Sequence, residues 1–226
     1  MVGRMLVYRV AAASALCLAA LPLRAQDWAQ SCAIARGQDK VVACNQALKA
    51  APGDIELRRH LGRALLDLGD GMGGANEFGA IAEENQSDPR AWYDYAAALA
   101  TDYRFADAAK AIERSLALDP RPFEANKIAV LVYERTGREA EAYQANLRLA
   151  ALGDRIAMND IAEALLEGRG VTADPGAAVP WLVRAAEAGH FGAMALLARV
   201  YAEGLYGQAR DAARAEYWNR KSDATD

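Results

Sequence analysis

Residues 91–120 read AWYDYAAALATDYRFADAAKAIERSLALDP, and the fold is decided there. Trp92 and Leu99 are large enough to fill the gap between two helices, while Ala96 and Ala108 let two backbones approach. Ile112 and Ser115 continue the second helix. Pro120 ends it, because proline cannot extend the hydrogen-bond ladder. The pattern recurs outward at a spacing of 34 residues. Gly62, Ala96 and Val130 are one set, Leu61, Tyr95 and Ala129 a second, and Leu65, Leu99 and Tyr133 a third. A 34-residue period with small residues following large ones marks a run of helical hairpins. Abundant alanine and few β-branched residues favour helix throughout. With 53% hydrophobic, 8% aromatic and 25% charged residues, the 226-residue chain has the composition of a folded protein. Its net charge of −4 and lack of a basic run argue against nucleic acid as a partner.

The hairpin at Trp92, Tyr95, Ala96, Leu99, Ala108, Ile112, Ser115 and Pro120 resembles the tetratricopeptide (TPR) repeat at nearly every framework position. A weaker copy occupies residues 55–88, with Gly62, Leu65, Gly74 and Phe78 in register. Another occupies residues 123–156, with Ala129, Tyr133, Ala142 and Leu149, and has Asp154 in place of the closing proline. A truncated unit ends at Pro52.

After Gly153 the pattern changes. Residues 157–189 read AMNDIAEALLEGRGVTADPGAAVPWLVRAAEAG and resemble a Sel-one-like repeat (SLR). The resemblance rests on Ala157, Ala162, Leu165, Gly168, Gly170, Val171, Asp174, Ala178, Trp181, Ala185, Ala186 and Gly189. A second copy starts at Ala193 and keeps the seven-residue spacing from Asp211 to Trp218, but has Tyr206 where Gly170 stands. In such a repeat Gly168 and Gly170 permit the turn, Asp174 caps the second helix with Pro175 at its first position, and Gly189 closes it.

The resemblance implies an all-α, right-handed α-α superhelix, a solenoid of TPR-type and SLR-type hairpins. Its expected divisions are a signal peptide over residues 1–25, a truncated unit over 26–54, three TPR-type units over 55–156, two SLR units over 157–222 and a tail over 223–226. The signal reading rests on Arg4 and Arg9, the apolar run from Val10 to Leu21, Pro22, and Ala25 before the cut. That run is shorter than the roughly 20 residues a membrane span needs, so retention as an N-terminal anchor is the lesser alternative. Cleavage removes Arg4, Arg9 and Arg24 and no acid. It leaves 23 basic and 30 acidic residues, net −7, which does not favour anionic membranes. It also removes Cys17. Cys32 and Cys44 remain as a pair in a chain sent to an oxidising compartment; a structural disulfide is the leading reading, with free thiols or redox chemistry as alternatives.

Motifs for catalysis are missing. His60 and His190 fall in different repeats and form no His-Glu-x-x-His pattern, so His60 is read as a helix-surface residue and His190 as a turn residue. Residues 69–74, GDGMGG, lack the Gly-Lys-Ser/Thr of a phosphate loop and are read as a flexible interhelical turn. No serine lies in a Gly-x-Ser-x-Gly elbow. The expectation is a non-enzyme without metal or cofactor.

The TPR resemblance implies a concave face lined by first-helix positions outside the framework. Here these are Glu56, Arg59, Arg63, Asp67, Arg90, Tyr93, Glu124, Lys127, Glu134 and Arg135. Arginine and tyrosine are common interface anchors. By analogy with exported repeat proteins, the expected role is a periplasmic scaffold or adaptor that binds a segment of another protein, with envelope proteins as the expected partners, in a Gram-negative bacterium. The alternatives are end-to-end self-association through the last helix, where Tyr217 and Trp218 lack an obvious cover, and β-lactam binding or hydrolysis as described for some SLR proteins.

Overall fold

The computed structural model describes residues 23–223. The predicted signal segment lies outside the described residues up to Pro22, as do residues 224–226 of the predicted tail. The described residues form twelve helices and no strand. They divide into two compact units, one ending at Arg104 and the other beginning at Phe105.

The first unit holds α1 (Leu23–Ile34), α2 (Gly37–Ala50), α3 (Ile55–Asp67), α4 (Gly71–Glu84) and α5 (Pro89–Thr101), each packed on the next. Aspartates start three of them. Asp54 accepts from the amides of Glu56 and Leu57, Asp70 from Gly73, and Asp88 from Arg90. These bonds satisfy donors that the first helical turn leaves open. Gly62 on α3 faces Phe78 on α4, and a Cβ at Gly62 would stand 2.8 Å from the ring. The small-after-large pattern thus seats an aromatic ring against a helix backbone.

The glycine-rich stretch differs from its expectation. Only Gly69, at φ 82°, lies in the turn; Gly71 to Gly74 form the first turn of α4. Gly71 and Gly74 are buried, and a Cβ on Gly74 would come within 2.6 Å of Leu66. These glycines permit close approach and are not a flexible hinge.

Cys32 and Cys44 form a disulfide joining α1 to α2, with Cα atoms 4.6 Å apart. Both are fully buried beside Leu57 and Leu61 of α3. The bond therefore ties the first hairpin together where it meets the next one.

The second unit holds α6 (Phe105–Leu118), α7 (Phe123–Arg135), α8 (Glu139–Ala151), α9 (Arg155–Glu167), α10 (Pro175–Glu187), α11 (Phe191–Glu203) and α12 (Ala212–Asp223), again packed in succession. Ile161, Leu182, Leu197 and Val200 are its fully buried centre. Asn126 fixes the turn into α7. Its amide donates to the carbonyls of Pro120 and Pro122, and its oxygen accepts from Arg148 Nε at 2.6 Å. Gly168, Gly170 and Gly189 are left-handed, and Asp174 caps α10 with proline in its first turn, as expected. Tyr206 adopts the same left-handed backbone at φ 55°. His190 lies in the connection between α10 and α11, as expected, and also caps α11: its Nδ1 accepts from the Ala193 amide at 3.2 Å. Burial, and then Arg155, lowers its pKa, and the neutral ring keeps the lone pair that the cap requires. Trp181 is half-buried against the core with Arg184 over its face. Trp218 is buried, so the apolar exposure expected on the last helix reduces to Tyr217.

Candidate binding faces

In the first unit, α3 and α5 gather charge around one carboxylate that the sequence reading did not single out. Asp94 is only 7% exposed. Arg59 Nε stands 3.7 Å from its Oδ2 and Arg90 Nε 3.8 Å. Arg59 also reaches Asp88 at 3.1 Å and Glu56 at 3.3 Å. At 3.7 Å the Arg59–Asp94 contact is Coulombic and not a hydrogen bond, and both facing atoms are buried with no hydrogen-bond partner. Burial pushes the Asp94 carboxyl above its ordinary range, while Arg59, Arg63 and Arg90 pull it back. Three of the predicted concave-face residues, Arg59, Arg63 and Arg90, therefore act on Asp94, and a fourth, Glu56, pairs with Arg59. Arg59 is largely consumed by pairing within the chain. Arg63 and Arg90 stay exposed, and Tyr93 is half-buried. Asp67 is exposed on α3.

The second unit treats its predicted residues differently. Lys127 lies over the Phe123 ring and Arg135 over the Phe105 ring, so both cations rest on aromatic faces. Glu124 is exposed. Glu134 lines a cavity of about 340 Å³ whose walls come from α7, α8, α9 and the loop after α9. Glu139, Asn146, Asp160, Glu163 and Arg169 share that lining. Of these polar residues only Glu134 was found by reading the sequence. The rest lie on α8, on α9 and in the loop, outside the first-helix positions that the TPR resemblance supplies. Asp160 is pushed up to about 6, first by burial and then by the carboxylates Glu163 and Glu134, with Arg169 opposing.

His60 is half-buried, its pKa lowered by burial and by Lys40. Among the described residues no group of three or more His, Cys, Asp or Glu could hold a metal ion. No described helix is long and apolar enough to cross a membrane.

Residues 155–190 and 192–222 match the Sel1 repeat family model. The end of the chain therefore carries two Sel1 repeats, where the glycine, Asp and Trp spacing placed them. No curated protein matches the chain. Among solved structures it is similar to MamA, at 24% identity over 69% of this chain and 90% of that one, with a TM-score of 0.59. It is also similar to a Sel1 repeat protein from Oxalobacter formigenes, at 22% identity over 83% and 79% of the two chains, TM-score 0.52. A protective antigen present in uropathogenic Escherichia coli strains, displaying an SLR fold, is similar at 22% identity over 83% of this chain and 44% of that one, TM-score 0.54. Similarity at this level establishes the helical-hairpin repeat fold.

Proposed function

We propose that this protein is a non-catalytic scaffold of the periplasm that holds a segment of another protein of the envelope against the first helices of its hairpins. The observation that carries this reading is the charge assembly on α3 and α5. Arg59 and Asp94 form a fixed base, above which Arg63 and Arg90 are exposed beside Tyr93. Arginine side chains match carboxylates in a forked geometry. A partner segment bearing acidic side chains suits this face. The Cys32–Cys44 disulfide and the basic-then-apolar start of the sequence favour an oxidising destination outside the cytoplasm.

The test is cross-linked affinity capture from envelope extract, with parent protein beside Arg63→Glu/Arg90→Glu. These two positions are chosen because Arg59 supports the fold. The expected result is one set of partners held by the parent and lost from the variant. Equal capture by both would move binding away from α3 and α5. An exported protein beginning at Gln26 would agree with the leader and its cut.

A further inference from the structure

The cavity in the second unit sets four carboxylates, Glu134, Glu139, Asp160 and Glu163, against a single lining cation, Arg169. Glu134, Glu139 and Asp160 line it, and none of them makes an ion pair among the described residues. Glu163 accepts from Asn159 at 2.7 Å and is only loosely approached by Arg169, at 3.5 Å. Arg169 itself turns to Glu167 outside the cavity, at 2.7 Å. Burial beside these like charges raises the Asp160 pKa, so the cost of assembling them is visible in the protein itself.

Asn146 is an independent indication. Its side chain lines the same cavity and is only 6% exposed, yet it makes no hydrogen bond. Its amide is not sealed in the core: it opens onto the cavity and meets only what enters there. An amide oxygen held among carboxylates offers one more acceptor to a ligand rich in donors.

We infer that this cavity is the receptor for one arginine side chain of a basic segment in a partner protein. The guanidinium would lie among Asp160, Glu163, Glu134 and the Asn146 amide oxygen, with its alkyl stem against Tyr143 and Ala142. The charge calls for a cation, and the number of acceptors calls for the five N–H donors of a guanidinium over the three of an ammonium. At about 340 Å³ the cavity is at the small end of ligand sites, the size for one long side chain and not for a helix. The inference deepens the scaffold reading by adding a second, oppositely charged contact, and it stands on different residues.

The experiment is a titration of the full chain, exported so that the disulfide forms, followed by amide-resolved NMR. The probe is Ac-Ala-Ala-Arg-Ala-Ala-amide; the same peptide with citrulline, the same peptide with lysine, and spermidine are the comparisons. The arginine peptide should shift the Asn146 side-chain amide and the backbone signals of Asp160 and Glu163, and bind at least tenfold more tightly than the citrulline peptide. Asp160→Asn/Glu163→Gln should reduce affinity at least tenfold with the remaining spectrum unchanged. Should that variant misfold, Asp160→Asn alone keeps the fold and should still weaken binding. Arg63→Glu/Arg90→Glu should bind the peptide as the parent does, which separates failure here from failure of the scaffold reading. Equal binding of citrulline, shifts spread over the acidic surface without Asn146, or unchanged affinity in the Asp160 variants would each overturn the inference. Tighter binding of lysine or spermidine, or occupation of the cavity by a second copy of the chain, would overturn the assignment to a partner's arginine.

Discussion

Hairpin α1–α2 is joined by two residues and closed by the Cys32–Cys44 bond, whereas hairpin α9–α10 is joined by seven residues and contains no cysteine. The longer loop is fixed by contact. Gly170 packs onto the first turn of α8, and a Cβ there would overlap the Glu139 carbonyl and come within 2.6 Å of the Ala140 amide nitrogen. The first hairpin is linked covalently, at the point where it packs on α3. The second leans on the hairpin before it, and its link is a missing side chain. Tyr206 sharpens the point. It takes the same left-handed backbone as Gly170 while packing its ring against the core. Glycine at 170 is therefore required more by its neighbour than by its φ angle.

Four measurements test this contrast. Gly170→Ala should have the largest effect, about 3 kcal/mol of lost stability, because the obstruction is backbone and cannot swing aside. Chemical denaturation would show it, and a loss below 1 kcal/mol would mean that the loop is not held by α8. Reducing the disulfide should cost about 2–3 kcal/mol, as expected for so short a closed loop. By hydrogen exchange, protection should fall in α1 to α3 and be unchanged in α9 to α12; a uniform fall would remove the distinction between the two hairpins.

Asp160→Asn should stabilise the protein by roughly 1 kcal/mol at pH 7.5, allowing for solvent screening of a half-exposed group. The sign follows from the pKa. Asp160 titrates near 6 in the fold against an ordinary 3.8, so the folded chain holds the proton more tightly. Its contribution to stability is full below about pH 4 and is lost as the pH rises through 6. Glu163, Glu134 and Asp154 raise this pKa and Arg169 lowers it. The gain in Asp160→Asn should therefore vanish near pH 4, and a gain independent of pH would point to another cause. The smallest effect serves as a baseline. Asp54 caps α3 and Asp154 caps α9 through the same pair of amide contacts. Asp54→Ala and Asp154→Ala should each cost about 0.5–1 kcal/mol in thermal unfolding, since capping is indifferent to how a hairpin is joined. A marked inequality would show that one cap is coupled to its loop.

Much of the fold was legible because the signals are local or periodic. The 34-residue spacing located hairpins, and Asp174 with Pro175 located the start of α10. The glycines at 71 and 74 were misread, and the cap that His190 adds to its turn was missed, for one reason. A histidine can cap and a glycine can sit in a helix, and only the neighbouring helix reveals which role is required. The candidate faces were less legible. Arg59, Arg63 and Arg90 follow from helix position, but Asp94 reads as an ordinary helix-surface acid until α3 is placed against it.

The sequence by itself determined the helical class, the hairpin period and the two Sel1 repeats. These depend on residue type at fixed short spacings, where backbone sterics and capping act within a turn or two. The tertiary structure alone decided that Asp94 is buried under arginines and that Asp160, Glu163, Glu134 and Asn146 converge on one cavity. Burial and Coulomb interaction depend on distance in space, and residues of three successive helices reach that distance only after the hairpins have stacked.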